Sequence, residues 1–367
     1  MSISFIHTAD LHIGKKFNLN FDVGDSIRRR IDLWDTFDKI IELCIRNEID
    51  FLFVAGDLTD GKYCTIEDIE RLASKFKEAI NTKVVVTTGS NDPYSVNSYY
   101  KYIDWPDNVY LVDTTDSVKK MVFEEEGLCV YSIGLDIKGV QEERKTISSI
   151  RTDDDMVNVF LAHGDIEGND PPDLRIDVES IRDKFDYIAL GHYHQYREYS
   201  ERMIYPGSPE PLDFKEQGQH GVVYGKIDKE NFEKVFLPTA KSRFILKELY
   251  LQPEYEHQKI LDIIKFIGDY ISVSKDYYKV ILNGTVNMEM DMDKIKAEAS
   301  TYFQHIEFVD NFTYDIDYDL LLEEYKGNLI GDFIKLIKEE DENINSQRAL
   351  MLGLDVMLKE KVGIDDY

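Results

Sequence analysis

The chain has 367 residues, with 71 Asp plus Glu against 43 Lys plus Arg, for a formal net charge of −28. That balance argues against sequence-independent adhesion to nucleic acid or anionic membrane, because both need clustered cations. A content of 43% hydrophobic and 12% aromatic residues excludes a disordered acidic tail.

The chain opens on a strand-like run at residues 5–9, with no basic segment and apolar stretch of the kind that marks a signal peptide. No apolar stretch approaches the roughly 20 residues of a membrane span. Cys44, Cys64 and Cys129 lie too far apart for a disulfide framework or a Cys-rich zinc module, and they fit a reducing cytoplasm. Further apolar runs at 51–55, 84–88, 129–135, 157–162 and 187–190 read as buried strands. Between the first two strands, Trp34, Phe37, Ile41, Cys44 and Ile45 mark the apolar face of a helix. Strands separated by helices indicate an α/β layered core. More strands are expected at 203–205, 221–227 and 233–237.

A break falls near 237–242. Beyond it the pattern restarts as strand 244–251, helix 254–271, strand 277–282, helix 291–303 and strand 305–312, the size of a small α/β module. The remaining residues carry Leu329, Phe333, Ile334 and Ile337, then Leu350, Leu354, Met357 and Leu358, at amphipathic helix spacing. Such helices pack on the chain's own core or dock into a partner.

Four segments place Asp or His just after an apolar strand: Asp10-Leu11-His12, Gly56-Asp57-Leu58-Thr59-Asp60, Ala162-His163-Gly164 and Gly191-His192-Tyr193-His194. In α/β sheets ligands gather at the carboxyl ends of strands, so these side chains can converge although far apart in sequence. Donors limited to N and O, with no thiolate, suit a divalent pair such as Mn or Fe, with Zn also fitting. Four of the eight histidines lie in these segments. Of the others, His7 reads as a core residue within a strand, and His220, His257 and His305 as ordinary surface residues.

This ordered set resembles the calcineurin-like metallophosphoesterase superfamily, and within it the DNA repair exonuclease branch of SbcD/Mre11-like nucleases. The wording of three segments carries the branch: His7-Thr8-Ala9-Asp10-Leu11-His12-Ile13-Gly14, Ala55-Gly56-Asp57-Leu58-Thr59-Asp60-Gly61 and Tyr205-Pro206-Gly207-Ser208-Pro209-Glu210. The Asp-Arg-Gly ending that Ser/Thr phosphatases show in the second motif is absent.

The resemblance implies an α/β fold: a layered metallophosphoesterase β-sandwich flanked by helices over 1–240, a small α/β capping domain over 241–315, and a helical C-terminal tail over 316–367 where relatives bind an ATPase. It implies two divalent metal ions, Mn first, with Fe or Zn as alternatives. Asp10, His12 and His194 would hold one, His163 and His192 the other, with Asp57 bridging. Where relatives carry Gly-Asn-His-Asp followed by Pro-Tyr, this chain reads Gly89-Ser90-Asn91-Asp92-Pro93-Tyr94. Ser90 then takes the place of a metal-binding Asn, and Asn91 that of the His thought to assist the leaving group. A serine is a shorter, weaker ligand, and an amide cannot act as an acid, a loss that commonly costs about 10²–10⁴-fold in rate. A one-residue slip, alternatively, lets Asn91 reach the metal.

The function implied is a dinuclear-metal phosphodiesterase acting on DNA, a repair exonuclease or endonuclease subunit weakened by Ser90-Asn91. Its partners would be DNA, an SMC-like (Rad50/SbcC-type) ATPase and a second copy in a homodimer, with no membrane. Lys15, Lys16, Arg28, Arg29 and Arg30 are the candidate phosphate contacts, and Tyr94, Tyr99 and Tyr100 candidate stacking rings. Two alternatives stay open: a small-molecule or cyclic-nucleotide phosphoesterase, and a non-catalytic DNA-end or ATPase-binding scaffold. The acidity predicts weak, salt-sensitive DNA binding by the isolated chain.

Overall fold

The computed structural model describes residues 2–17, 21–115, 117–135, 147, 149–167, 175–268, 270–339 and 344–359. It divides into two compact units, Met1–Arg243 and Phe244–Tyr367.

The first unit is built on two six-stranded mixed sheets. One runs β12 (Phe232–Pro238), β11 (Gly221–Ile227), β1 (Ile3–Thr8), β2 (Phe51–Ala55), β3 (Lys83–Thr87), β4 (Val109–Leu111). The other runs β5 (Lys119–Phe123), β6 (Leu128–Ser132), β7 (Val157–His163), β8 (Tyr187–Gly191), β10 (Met203–Tyr205), β9 (Arg197–Ser200). Side chains alternate across each strand. Phe5, Phe53 and Val85 point between the sheets to meet Val130, Val159 and Tyr187, while Ile6, Leu52 and Val84 point outward beneath the helices. Burial on both faces is why these strands read as continuous apolar runs rather than as alternating ones.

Helix α1 (Val23–Arg46) joins β1 to β2, and α2 (Ile66–Glu78) joins β2 to β3, so β1, β2 and β3 lie parallel. Leu33, Trp34, Phe37, Ile40, Ile41 and Cys44 form the buried stripe of α1. Ile45, expected on that face, is 47% exposed, because the stripe runs through 37, 40, 41 and 44 and leaves 45 past its edge. The sequence reading did not place α2. It starts on a capping box in which Thr65 and Asp68 satisfy each other's backbone N–H.

Arg29 is wholly buried, which removes it from the candidate phosphate contacts. Its Nη1 donates to Asp32 Oδ2 and Glu210 Oε1, each at 2.8 Å, and also to Ser242 Oγ, while Nη2 donates to the Pro211 carbonyl. Thr36 Oγ1 donates to the other Glu210 oxygen at 2.8 Å. A buried guanidinium needs such partners, and here they tie α1 to the segment that ends in Glu210. Arg28 stays half exposed on Asp25, and Arg30 and Lys16 are exposed.

The second unit carries the parallel sheet β13 (Phe244–Leu251), β14 (Tyr277–Asn287), β15 (His305–Asp315). The helix expected at 254–271 is two pieces, His257–Lys265 and Tyr270–Val273. At Gly268 a Cβ would fall 2.3 Å from Tyr278 Oη, so only glycine lets the chain pass there. Ile260, Leu261 and Ile264 pack with Ile295, from the helix Met292–Ser300, on Val280 and Leu282. Three further helices, Tyr318–Glu324, Leu329–Glu339 and Ile344–Lys359, share a small core of Leu321, Ile330, Ile334, Leu350 and Leu354.

Two histidines read as surface residues are buried. His220 bonds to the Ser208 carbonyl at 2.8 Å and the Glu216 carbonyl at 3.1 Å, and His305, first residue of β15, lies against Tyr277 with the rings tilted by 43°. His257 is partly exposed beside Glu298.

Candidate metal centre

The chemistry-bearing residues sit where strands end. Asp10 and His12 follow β1, Asp57 follows β2, His163 closes β7, and His192 and His194 follow β8. β1 runs parallel to β2 and β7 parallel to β8, which brings each pair of ends together. Two contacts close the gap between the sheets: His163 Nδ1 lies 3.0 Å from the Ala55 carbonyl, and the His192 N–H donates to Asp10 at 3.1 and 3.2 Å.

The backbone here is held in conformations that side chains normally avoid. Among the described residues the non-glycine positions with positive φ are Asp10 (53°), His12 (48°), Glu48 (48°), Asp57 (50°) and His192 (122°), and four of these five belong to the site. Strain of about 1–3 kcal/mol per such residue persists only where the surroundings over-determine it. Those surroundings are visible: Asp10 N–H donates to the Gly56 carbonyl, His12 N–H to the Asp57 carbonyl, and at Gly56 a Cβ would lie 2.6 Å from His163.

Two donor groups result. Asp10, His12 and His194 form one, and Asp10, Asp57 and His163 the other, each with its ligand atoms within 4.8 Å of one another. Asp57 Oδ2 is 3.5 Å from His12 Nε2 and 3.7 Å from His163 Nε2, so it lies between the groups. His192 stacks edge-on against His163 with ring centroids 5.6 Å apart. Ser90 is exposed, whereas Asn91 turns onto Asp57: its backbone N–H donates to Oδ1 at 2.8 Å and its side-chain Nδ2 to Oδ2 at 2.6 Å.

The donor set suits a cation. His163 and His194 both have Nδ1 tethered, to the Ala55 carbonyl and to Glu216 Oε1 (2.6 Å), which leaves their Nε2 lone pairs for the cluster. His163 Nε2 is buried and, among the described residues, has no hydrogen-bond partner. His194 Nε2 lies 3.3 Å from His12 Nε2, within hydrogen-bond distance, so a proton shared there is one that a cation would displace. Burial raises the Asp10 carboxyl to about 6, with His194 and His163 opposing the shift. Burial, then the charge of His194, holds His12 well below its ordinary range, and burial also lowers His163. At His194 burial acts downward, but the Glu216 hydrogen bond and the charge of Asp10 outweigh it and raise the pKa to about 9.

Three residues support the site from behind; Glu216 and Asp165 are not marked in the sequence, and Asp92 is marked there only as part of its motif. Glu216 holds His194 with one oxygen and accepts from Ser208 Oγ (2.9 Å) and the Leu212 N–H (2.8 Å) with the other. Asp92, raised to about 6 by burial and by the charge of Asp57, accepts from the N–H groups of Asp57, Thr59 and Gly89 and from Tyr100 Oη at 2.6 Å. Asp165 accepts from Tyr193 Oη at 2.5 Å and so links the two histidine loops. No motif spacing marks Glu216. Tyr100, a candidate stacking ring, is buried on Asp92, leaving Tyr99 exposed and Tyr94 partly so.

Residues 3–196 match the Calcineurin-like phosphoesterase family, and the chain belongs to it. That membership places it among phosphoester hydrolases with a dinuclear metal centre. Two curated proteins illustrate the likeness. An uncharacterized metallophosphoesterase, YhaO of Bacillus subtilis, is 26% identical over 231 residues, covering 60% of this chain and 56% of that protein. The DNA double-strand break repair protein Mre11 of Sulfurisphaera tokodaii is 25% identical over 314 residues, covering 81% of this chain and 69% of that one. The likeness is consistent with the Mre11/SbcD-like branch. This chain thus spans little more than half the length of the Bacillus relative. Among solved structures, a purple acid phosphatase from yellow lupin seeds superposes with a TM-score of 0.39 at 14% identity over 62% of this chain and 49% of that chain. Among the described residues no helix is long and apolar enough to cross a membrane.

Proposed function

We propose that the chain is a phosphodiesterase acting on DNA, an exonuclease or endonuclease subunit that works with an SMC-like ATPase and whose leaving-group step is weakened at Asn91. The observation that carries this reading is the buried carboxylate–imidazole cluster with the Asn91 amide folded onto Asp57. Asp10, His12 and His194 would hold one divalent ion and His163 and His192 a second, with Asp57 between them. Mn suits these donors, as do Fe and Zn. Such a pair, when bound, neutralises charge on the attacked phosphate and activates a water.

The protein's own contribution is positional. Glu216 and the Ala55 carbonyl fix two imidazole tautomers, and the buried sheet ends keep the donors in place without reorganisation. Asn91 donates its backbone and side-chain N–H groups to Asp57, and its amide has no acidic proton to pass to a leaving group. Lys15, Lys16 and Lys62 offer local positive charge. The Mre11 relative, a DNA double-strand break repair protein by name, favours DNA as substrate. By the family resemblance residues 241–315 would be a capping domain and 316–367 a helical tail for ATPase docking.

The test is hydrolysis of linear and circular DNA with Mn, beside elemental analysis. We expect two ions per chain, slow cutting, and a gain of about 10²–10⁴-fold from Asn91→His. A rate unchanged by Asn91→Ala and not raised by Asn91→His overturns the reading. Two bound ions with no cutting by either form leave a scaffold role.

A further inference from the structure

We propose that Ser208 and His220 are positioning residues of the metal centre, acting on His194 through the Glu216 carboxylate. The ion at Asp10, His12 and His194 then depends on them, and the ion at His163 and His192 does not. The inference rests on the reading of the cluster as a two-ion centre. Both residues lie in the segment between β10 and β11, which opens on Pro206-Gly207-Ser208 and supplies neither donor group with a ligand.

Ser208 grips His194 twice. Its backbone N–H donates to the His194 carbonyl at 3.0 Å. Its Oγ donates to Glu216 Oε2 at 2.9 Å, and the other oxygen of that carboxylate accepts from His194 Nδ1 at 2.6 Å. So close a pass needs the preceding glycine: Gly207 has φ +76°, and a Cβ there would lie 2.7 Å from the His194 carbonyl oxygen. Ser208 and Glu216 are both buried, so no bulk water replaces a lost partner.

His220 sets which way the Ser208 hydroxyl points. Its Nδ1 lies 2.8 Å from the Ser208 carbonyl oxygen and its Nε2 3.1 Å from the Glu216 carbonyl oxygen. Carbonyl oxygens only accept, so a ring N–H makes each of these contacts. The hydroxyl has three polar neighbours: His220 Nδ1 at 3.1 Å, the His194 carbonyl at 3.3 Å and Glu216 Oε2 at 2.9 Å. Nδ1 already carries a proton and takes no other, and of the two oxygens the carboxylate is the nearer and the stronger acceptor. The hydroxyl proton therefore goes to Glu216. With the Leu212 N–H, at 2.8 Å on the same oxygen, it fixes the carboxylate and turns Oε1 toward His194. His194 is left presenting Nε2 to the cluster. His220 is anchored in turn, because its backbone carbonyl accepts from the N–H groups of Thr239 and Ala240 at 3.0 and 3.3 Å. His163 is held elsewhere, on the Ala55 carbonyl at the end of β2, which is why the two ions should respond differently.

The experiment is titration of the metal-free full chain with Mn²⁺ against a chelator, which gives the number of ions and the affinity of each. Wild-type protein should take two. We expect Ser208→Ala to weaken one ion by about tenfold and to leave the other unchanged. His220→Phe, which removes both ring donors, should do the same, and it carries the test if Ser208→Ala does not fold. Thr36→Val is the control: it breaks the hydrogen bond from Thr36 to Glu210 in the same segment, and it should lower the thermal midpoint while both affinities stay in place. Because Ser208 acts through Glu216, Ser208→Ala/Glu216→Gln should bind no more weakly than Glu216→Gln alone. The proposal is overturned if Ser208→Ala keeps both affinities or weakens both equally, if the double variant adds the two losses, or if Thr36→Val weakens the same ion as much. A wild-type chain that takes fewer than two ions overturns the two-ion reading and this inference with it, whereas two ions without the selective loss overturn the inference alone.

Discussion

The two sides of the candidate centre differ in how they are made. On one side Asp10, His12, Asp57 and His163 are buried, held by backbone bonds between β1, β2 and β7 and by left-handed conformations that the packing enforces. On the other side Ser90 and Asn91 are exposed on a loop, where the backbone and side-chain N–H groups of Asn91 donate to Asp57 and its carbonyl accepts from the Gly61 N–H. A change among the buried four disturbs packing, strain and ligation together, whereas a change at 90 or 91 alters chemistry and leaves the fold intact. The departure from the Gly-Asn-His-Asp wording falls on the side where substitution costs the fold least.

The comparison can be broken at several points. The largest effect is expected from Asp57→Ala, which removes the carboxylate between the donor groups; elemental analysis should show a fall from two ions toward one or none. Retention of both ions would show that Asp57 is no bridge. Next, Asn91→His should raise DNA hydrolysis by about 10²–10⁴-fold without moving the thermal midpoint. A large loss of stability there would mean that the loop is as constrained as the buried side. Glu216→Gln should lower metal affinity by about 10–100-fold, measured by competition with a chelator, because the tether that fixes the His194 tautomer weakens.

Metal affinity should also climb with pH. The Asp10 carboxyl, at about 6, and His194, at about 9, both hold protons in the metal-free protein that ligation expels. Uptake is therefore weakest below about pH 6 and strengthens toward pH 9, and a pH-independent affinity would contradict the protonation assigned to this pair. The smallest effect is expected at Ser90→Ala: a stability change within about 0.5 kcal/mol by thermal melt and unchanged metal content. Loss of an ion there would make Ser90 a metal ligand.

Much of this arrangement is legible in the chain itself. Strands at 51–55, 203–205 and 221–227 fall at the residues their apolar runs mark, because strands largely buried on both faces carry a nearly uninterrupted signal. The short edge strands β4, β5 and β9 have partly exposed, mixed sequences, and their pairing partners rather than their composition make them strands. The same limit explains Arg29, which looks like part of a basic run until Asp32, Glu210 and Ser242 enclose it, and His220, whose burial depends on Ser208 and Glu216.

The order of residue types along the chain, Asp and His placed after apolar strands with glycine beside them, was enough to determine the family, the α/β class and the candidate ligands, because strand-end position and donor chemistry are local properties. Which replaced residue touches Asp57, and which carboxylates hold the ligands from behind, were decided only by the tertiary structure. These depend on side chains 34 residues apart in the case of Asn91 and Asp57 and 182 apart in the case of His12 and His194. The first is set by how β2 and β3 pair within one sheet and the second by how the two sheets pack, and no local pattern encodes either.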